Sequence, residues 1–477
     1  MTKFLAPLDS SFLLLETPST SMNIGAVIEL GVSELSDPRE RFEMIRRNIG
    51  ARLHEIPVLT QRVVRAPLDL TWPVLVRDGR FDLDRHVVRV VLPSPGSPAQ
   101  FDALVSEFYS RPLAPARPLW QLIVVEGLDH GRASMALKIH HALADGVSGA
   151  EIFANLFDVT PQVRPPAPVE VGDGDGVETV ATPLDLLRHG LSKLRRDPPL
   201  AVSAAVAWGS RLYEVLRATA SVVLAFARTR GHAGQPNIFE ARRTSLNGAV
   251  EEEKTFCRAR VALDDVKRVA RHRGVSVTDV VLSVVSGALR RYFEDRGEIV
   301  RRDLIAFVPI NVRGGGDTAD LGNEISGMLV DLHTDVVDPD DRVRAISADA
   351  LLIAGDQRRR RAKLFQDVPR VLGPVLISFG GRLVAKLQVF DRLPMANVMI
   401  SSVPGPPVPL WLSGLRVVSA APVGPLFGPF TLNITALGFE ENLEFGLLGC
   451  TARVGDLSRL RDFVVDEVRS LVAATPE

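Results

Sequence analysis

A run rich in proline, glycine and aspartate, between Thr160 and Thr182, limits how this chain of 477 residues can fold. A regular helix or strand is not expected there, because proline removes a backbone donor and glycine weakens both kinds of element. Strand-like apolar segments that alternate with helix-like segments precede the run, among them Trp120 to Glu126 and Ala133 to Ile139, and comparable segments resume near Lys254. The sequence therefore predicts two α/β halves and a linker. The predicted divisions are residues 1–160, 161–245 and 246–477.

The segment 140–146, with the sequence HHALADG, directly follows the second of these predicted strands. Its four fixed positions, H-H-x-x-x-D-G, arise by chance in roughly one such chain per thousand. Imidazole, with a solution pKa of about 6.5, can accept a hydroxyl proton at pH 7. Because neighbouring strand residues face opposite ways, we expect His141 to be the general base and His140 to serve in orientation or packing. Asp145 either fixes the imidazole tautomer or holds the loop, and Gly146 suits a tight turn.

The histidine motif resembles the active-site signature of the CoA-dependent acyltransferases, which include chloramphenicol acetyltransferase and the condensation domains of peptide synthetases. The chain as a whole is similar to a narrower group, the bacterial wax ester synthase/acyl-CoA:diacylglycerol acyltransferase family. Short blocks in order along the chain carry this similarity: PLDSSFL at 7–13, FDLDRHV at 81–87, RPLW at 117–120, LNG at 246–248, TDVVL at 278–282, VPINVR at 308–313, GN at 322–323 and VPGP at 403–406.

The resemblance implies a fold of two chloramphenicol-acetyltransferase-like halves, with a tunnel and the active site at their interface. It implies an O-acyltransferase that uses acyl-CoA as co-substrate and acylates diacylglycerol, giving triacylglycerol, or a long-chain alcohol, giving a wax ester. No nucleophile elbow, phosphate loop or zinc motif competes, so neither a metal nor another cofactor is expected. The candidate substrate-binding or tunnel-building residues are Asn247, Thr278, Asp279, Asn311, Arg313, Asn323, Ser401 and Ser402.

Two positions depart from the family pattern. The family's Asn-Asp pair reads Thr278 and Asp279 here, and its Ser-Asn pair before VPGP reads Ser401 and Ser402. A hydroxyl lacks the reach and the two donors of an amide, so we expect the acceptor preference to be altered. Either serine follows a strand predicted at Asn397 to Ile400 and is a candidate oxyanion donor, with ordinary turn chemistry as the alternative.

Charge and cysteine content limit the partners and the compartment. A net charge of -1 and a pI near 6.8 provide no field that would recruit nucleic acid. Two cysteines, Cys257 and Cys450, do not suggest a disulfide framework, and the N-terminus lacks a secretory pattern. The sequence therefore predicts a cytoplasmic protein.

Two segments are candidates for attachment to a lipid surface. Basic residues from Arg188 to Arg196 precede the apolar segment Leu200 to Ala227, whose central charges oppose a membrane-spanning helix. We expect peripheral binding to the inner face of the plasma membrane or to lipid droplets, with packing onto the protein's own core as the alternative. The second segment starts with the basic run Arg358 to Lys363 and continues through apolar turns around Val368 to Leu387. Its arginines suit anionic headgroups or CoA phosphates, unless they are simply solvated.

Two other functions remain open at this point. One is an acyltransferase of the condensation type, which takes its acyl group from a carrier protein, and the other is a lipid-binding relative without turnover. We expect free acyl-CoA as donor because the chain contains no carrier domain, and catalysis because the histidine motif is intact.

Overall fold

The computed structural model describes most of the chain and contains two six-stranded sheets, one three-stranded sheet and flanking helices. The described residues are 3–31, 37–129, 132–143, 152, 154–165, 236, 240–298, 303–311, 325–353, 372–388, 392–406, 408–428 and 430–476. Only the ends of the predicted connector 161–245 are therefore described. Its basic-apolar segment and the cluster at Arg358 to Lys363 lie outside the described residues.

The strands are β1 (Lys3–Phe4), β2 (Asn23–Leu30), β3 (Gln61–Val64), β4 (Val74–Arg77), β5 (Val87–Val91), β6 (Trp120–Glu126), β7 (Ala133–His140), β8 (Lys254–Ala262), β9 (Ile305–Asn311), β10 (Ile325–Asp331), β11 (Val398–Val403), β12 (Trp411–Leu412), β13 (Leu415–Val423), β14 (Leu432–Phe439) and β15 (Asn442–Cys450). The longer helices are α1 (Pro7–Leu15), α2 (Pro38–Arg52), α3 (Pro98–Ser110), α4 (Leu263–Arg273), α5 (Val277–Asp295), α6 (Pro339–Ile353) and α7 (Ser458–Ala473). A further helix covers residues 372–386.

The first six-stranded sheet carries the histidine motif and has the strand order β12-β13-β2-β7-β6-β5. Strand β6 has the predicted bounds, and β7 runs one residue beyond its predicted end, to His140. Every residue of β7 is buried, because helices and loops cover both faces of the sheet, and this explains its nearly continuous apolar sequence. Strands β2 and β7 are antiparallel, and Asn23 lies directly opposite His140.

The second six-stranded sheet has the order β10-β9-β11-β14-β15-β8. Apolar residues of α4, α5, α6 and α7 form a single core with this sheet. The first turn of α5 starts at a capping box, which satisfies backbone donors that a helix would otherwise leave unpaired. The two sheets confirm the predicted α/β class and its two sheet-containing halves.

The first sheet includes strands from both predicted halves, which the sequence did not indicate. Strands β12 and β13 come from the part of the chain assigned to the C-terminal half, yet β13 pairs with β2 in the first sheet. Strand β13 also lies close to the second sheet. A Cβ atom added at Gly446 of β15 would clash with the carbonyl oxygen of Pro422 in β13. The predicted boundaries at 160 and 246 stay a prediction. The first sheet takes strands from both sides of the linker, whereas all six strands of the second sheet lie within residues 254–450.

Membrane-spanning helices were not expected from the sequence. Among the helices that the structure describes, none combines the length and the apolar character needed to cross a bilayer.

Candidate active site

Two backbone hydrogen bonds hold the histidine pair at the end of β7. The His140 N–H donates to the Leu119 carbonyl oxygen at 2.9 Å, and the His141 N–H donates to the Met22 carbonyl oxygen at 2.8 Å. The first bond comes from the segment before β6 and the second from the segment before β2. The backbone that presents both side chains is therefore fixed from both neighbouring strands.

His140 is almost completely buried and organises the turn after β7. Its Nδ1 atom accepts a hydrogen bond from the Ala142 N–H at 3.1 Å. A ring nitrogen that accepts carries no proton, so in neutral His140 the proton is on Nε2. That atom lies 3.5 Å from Oε2 of Glu16, within ion-pair distance but outside hydrogen-bond geometry. His140 thus has a protein group near each ring nitrogen, and its predicted role in orientation or packing stays a prediction.

His141 is less buried than His140 and lies against an aromatic ring. The centroids of its imidazole and of the Phe12 ring are 4.5 Å apart, and the two planes are tilted by 42°. Phe12 lies in α1, and Glu16 is the C-cap residue of the same helix. Because residues four apart lie on one face of a helix, a single face of α1 contacts both histidines.

Sequence reasoning did not identify Phe12 or Glu16 as site residues. Phe12 falls in the block PLDSSFL, which was recognised only as a family signature. The spacing of four residues between an aromatic residue and a carboxylate was the available signal, but nothing in the sequence linked that face to β7.

Asn23 is a second polar neighbour that the sequence did not reveal. Its side chain is buried, and among the residues that the structure describes neither Oδ1 nor Nδ2 has a hydrogen-bond partner. Directly opposed residues of an antiparallel pair share a face, with Cβ atoms about 5 Å apart, so Asn23 lies beside His140. An unsatisfied buried amide costs about 1–3 kcal/mol, which makes its position next to the histidine pair unusual.

Asn247 is fixed by other protein groups. Its Oδ1 atom accepts from the N–H and hydroxyl of Thr244, and from Nδ2 of Asn397 at 2.8 Å. Its Nδ2 atom donates to the Ala396 carbonyl oxygen at 2.9 Å, while Asn397 also ties the start of β11 to Ile305 of β9. This network suits the tunnel-building role that the resemblance implied for Asn247.

Thr278 and Asp279 lie in the first turn of α5. The Asp279 carboxylate accepts from the Ser276 N–H at 2.9 Å, and the Asp279 N–H donates to the Ser276 hydroxyl at 3.1 Å. Asp279 is therefore the acidic member of the capping box, and it is buried. Thr278 is half-buried in the same turn.

The strand that carries the two serines was placed wrongly. It was predicted to end at Ile400, whereas β11 begins at Val398 and includes Ser401 and Ser402. The strand continues to Val403 because a proline favours extended backbone in the residue before it, so Pro404 ends the strand without shortening it. Both serines are half-buried, in parallel register with β14.

Four predicted site residues cannot be placed by their side chains. Asp145, Arg313 and Asn323 lie outside the described residues. Asn311 is the last residue of β9, and only its backbone is described. Their predicted roles stay predictions.

Among the described residues, one cluster has ligand atoms close enough to hold a metal ion. Atoms of Asp303, Asp331 and His333 lie within 4.8 Å of one another, and Nε2 of His333 is 2.8 Å from Oδ2 of Asp349. Burial raises the pKa of Asp303 to about 6, and burial also raises the pKa of Asp331. The cluster belongs to the second sheet, whereas the histidine pair belongs to the first, and the expectation of a metal-free reaction stays a prediction.

The two-sheet α/β fold is condensation-domain-like, and the match of the chain to two family domains defines the class of protein as an acyltransferase. The chain belongs to the wax ester synthase/diacylglycerol acyltransferase family. Residues 5–281 match the family's catalytic domain, and residues 321–471 match its C-terminal domain.

Relatives and solved structures cover nearly the whole chain. A probable diacylglycerol O-acyltransferase of Mycobacterium tuberculosis (strain CDC 1551 / Oshkosh) is 30% identical, over 98% of this chain and 96% of its own. The wax ester synthase/diacylglycerol acyltransferase from Marinobacter aquaeolei VT8 superposes with a TM-score of 0.69 at 23% identity, covering 99% of this chain and 100% of that one. The first condensation domain of the calcium-dependent antibiotic synthetase gives a TM-score of 0.56 at 16% identity, covering 100% and 97%.

Proposed function

We propose that this acyltransferase moves an acyl group from acyl-CoA to the hydroxyl of diacylglycerol or of a long-chain alcohol, with His141 as the general base. The observation that carries the proposal is the placement of His141. It is only half-buried, its backbone is held by Met22, and its ring lies against Phe12 at the end of β7. A base in a fixed position loses little entropy when the hydroxyl approaches.

The reaction needs one proton transfer in each direction. As the acceptor oxygen attacks the thioester carbonyl carbon, His141 takes the hydroxyl proton and a carbon–oxygen bond forms. Collapse of the tetrahedral intermediate breaks the carbon–sulfur bond, and the imidazolium returns the proton to the departing CoA thiolate. The products are an ester and CoA. General-base assistance of this kind contributes roughly 10²- to 10⁴-fold to the rate.

His140 and Glu16 support this step without touching the substrate. His140 holds the Ala142 N–H and thereby the turn that follows His141. The Glu16 carboxylate faces the protonated nitrogen of His140 and favours the tautomer that this turn requires. We assign both as positioning residues.

The acceptor preference is proposed to depend on the departures at Thr278 and Ser402. Asp279 is already bound in the capping box of α5, so it has less freedom to bind a substrate. Ser402 on β11 is half-buried, as Thr278 is, so the hydroxyls of both residues are candidates for contact with the acceptor oxygen. Peripheral attachment to a membrane or a lipid droplet is proposed as the source of such apolar acceptors.

The test is incubation of purified protein with labelled palmitoyl-CoA and either diacylglycerol or hexadecanol. We expect labelled triacylglycerol or wax ester together with free CoA. Efficient transfer from an acyl carrier protein, with no neutral lipid from palmitoyl-CoA, would instead support a condensation-type reaction. Lipid binding without turnover of any donor would support the non-catalytic alternative.

A further inference from the structure

An exposed apolar surface lies beside α1, outside the site described above. We call it the apolar face. Its members are Leu15, Leu68, Leu70, Phe379, Leu383 and Leu387. Leu68 is 85% exposed and Phe379 is 65% exposed, which is far from the burial that such side chains normally have.

The 372–386 helix and Leu387, which directly follows it, supply three of the six members, and a basic stripe lies beside them. Phe379, Leu383 and Leu387 follow at intervals of four residues and form the apolar stripe. Arg382 and Lys386, also four residues apart and exposed, form a basic stripe beside it. An exposed helix face with this pattern is typical of attachment to an anionic lipid surface.

The buried Asp69 joins the other members to this helix. Its Oδ2 atom accepts from the Ser378 hydroxyl at 2.6 Å, and its carboxylate binds both Nε and Nη2 of Arg65. Asp69 separates Leu68 from Leu70, so the same hydrogen bonds hold these two leucines next to the helix.

Leu15 at the end of α1 completes the surface. A Cβ atom at Gly381 would clash with the Leu15 side chain, so α1 and the helix are in direct contact. Nη1 of Arg65 also donates to the Leu13 carbonyl oxygen at 3.3 Å. The apolar face is therefore one continuous surface made from three separate segments.

Leu68 has a backbone conformation that its exposure does not explain. Its φ is +56°, in the left-handed region that is unfavourable for a residue with a branched apolar side chain. A strained backbone that holds an apolar side chain in water does not stabilise the isolated protein. Such outliers are found at contact sites, where a partner covers the side chain.

The apolar face is continuous with the active site through α1. Leu15 lies between Phe12, which contacts His141, and Glu16, which faces His140. A surface that contacts Leu15 is thus within about one helical turn of both histidine contacts.

We propose that the apolar face docks on an anionic lipid surface, and that the acceptor lipid passes from that surface to His141. Leu68, Phe379 and Leu383 insert between the acyl chains, while Arg382 and Lys386 contact anionic headgroups. Delivery of the acceptor rests on the proposed function, whereas docking itself does not.

Flotation with vesicles tests the docking. The probes are vesicles of phosphatidylcholine with and without phosphatidylglycerol, and the double variants are Phe379→Gln with Leu383→Gln, and Arg382→Gln with Lys386→Gln. The matched control replaces Leu351 and Leu352 of α6 by Gln, which are 71% and 62% exposed and lie outside the apolar face. Each variant changes exposed side chains, and an unchanged thermal unfolding midpoint confirms that it is folded.

We expect the parent and the control to float with anionic vesicles. The apolar double variant should lose on the order of 10-fold or more in partitioning, because two inserted side chains are removed. The basic double variant should lose the preference for anionic vesicles. Absence of the parent from the floated fraction, or equal flotation of the parent and the apolar variant, would overturn the proposal.

Activity separates this proposal from the proposed function. The apolar variant should turn over a water-soluble alcohol such as hexan-1-ol at the parent's rate, and vesicle-borne diacylglycerol at least several-fold more slowly. Equal diacylglycerol turnover by the two proteins would overturn delivery through the apolar face. A parent that floats but acylates neither acceptor would support docking and contradict the proposed function.

Discussion

At the scale of single residues, the surroundings of His140 determine how well His141 is held. Glu16 is the only carboxylate that contacts His140 among the ion pairs of the described residues, at 3.5 Å from Nε2. It is partly exposed, whereas His140 is almost completely buried. A charge at that position stabilises the tautomer whose Nδ1 atom binds the Ala142 N–H.

Glu16→Gln keeps the shape of this side chain and removes its charge. We expect kcat to fall on the order of 10-fold, as for other residues that orient a catalytic group indirectly. The KM for acyl-CoA should stay within twofold of the parent, because Glu16 does not contact the donor in the proposed mechanism. Steady-state kinetics against pH provide the measurement. An unchanged kcat at every pH would remove Glu16 from the positioning role.

Lys138 is a fully buried lysine in β7, the strand that ends at His140. Burial, with smaller effects from Lys254 and Arg111, lowers its pKa to about 7. Its Nζ atom donates to the carbonyl oxygens of Phe108 and Arg111 at 2.6 and 2.7 Å. A neutral amine has two N–H groups, which match these two acceptors.

This lowered pKa makes stability depend on pH. Between pH 7 and the ordinary lysine pKa of 10.5, the unfolded chain binds a proton at Lys138 and the native chain does not. The free energy of unfolding therefore rises with pH over this range. Lys138→Met abolishes the titration. The free energy of unfolding of the parent minus that of the variant should therefore rise by up to about 1.4 kcal/mol per pH unit above pH 7, and be flat well below it. Urea unfolding at several pH values measures this difference, and a constant difference would contradict the lowered pKa.

Sequence reasoning located the histidine pair but not its neighbours. The motif is local, so seven consecutive residues were enough to predict His141 at the end of a strand. Glu16 and Asn23 approach the motif from α1 and β2, and no pattern within either segment specifies that approach. The contacts exist only once β2 has paired with β7.

At the scale of elements, a substitution of Asn247 tests whether this residue holds two segments together or contacts the substrate. Its amide bonds to Thr244, Ala396 and Asn397 hold the segment before β8 against the start of β11. Asn247→Ala should lower the free energy of unfolding by about 2–4 kcal/mol, because several hydrogen bonds are lost and buried partners stay unpaired. The KM values for acyl-CoA and acceptor should not change. A raised KM with unchanged stability would place Asn247 in the substrate site instead.

Two glycines, one at the close approach of β13 and β15 and one in open space, provide a test of that approach and its control. Gly446→Ala should destabilise the protein by more than about 3 kcal/mol, because its Cβ atom meets the backbone of Pro422, which cannot move aside cheaply. Gly380→Ala, in the 372–386 helix, has open space around it and should stabilise by about 0.5–1 kcal/mol. Unfolding midpoints of both variants make the comparison. A mild effect of Gly446→Ala would show that the two sheets do not approach as closely as described.

At the scale of the whole molecule, the sequence predicted two α/β halves but not the entry of β12 and β13 into the first sheet. The bounds of β6 and β7 followed from local apolar spacing. The pairing of β13 with β2 joins residues almost four hundred positions apart, and strand periodicity alone does not specify such a partner. The end of β11 was misplaced because the serines lack the apolar character that marks a strand, although their backbone stays extended up to Pro404.

The apolar face also belongs to this scale. The sequence predicted lipid attachment through Leu200 to Ala227, which lies outside the described residues, and offered a second candidate from Arg358 to Leu387, of which residues 372–387 are described. The described surface combines the 372–386 helix of that second candidate with Leu15 of α1 and the Leu68 turn, and nothing in the sequence linked these two parts to the helix.

The central claim is that His141 is the general base of acyl transfer, and His141→Ala tests it most directly. The variant should bind acyl-CoA as the parent does, keep the parent's unfolding midpoint, and transfer acyl groups to diacylglycerol or hexadecanol roughly 10²-fold or more slowly. Single-turnover measurement with labelled palmitoyl-CoA separates this loss from any change in binding or product release. Transfer at the parent's rate by a folded His141→Ala protein would contradict the account.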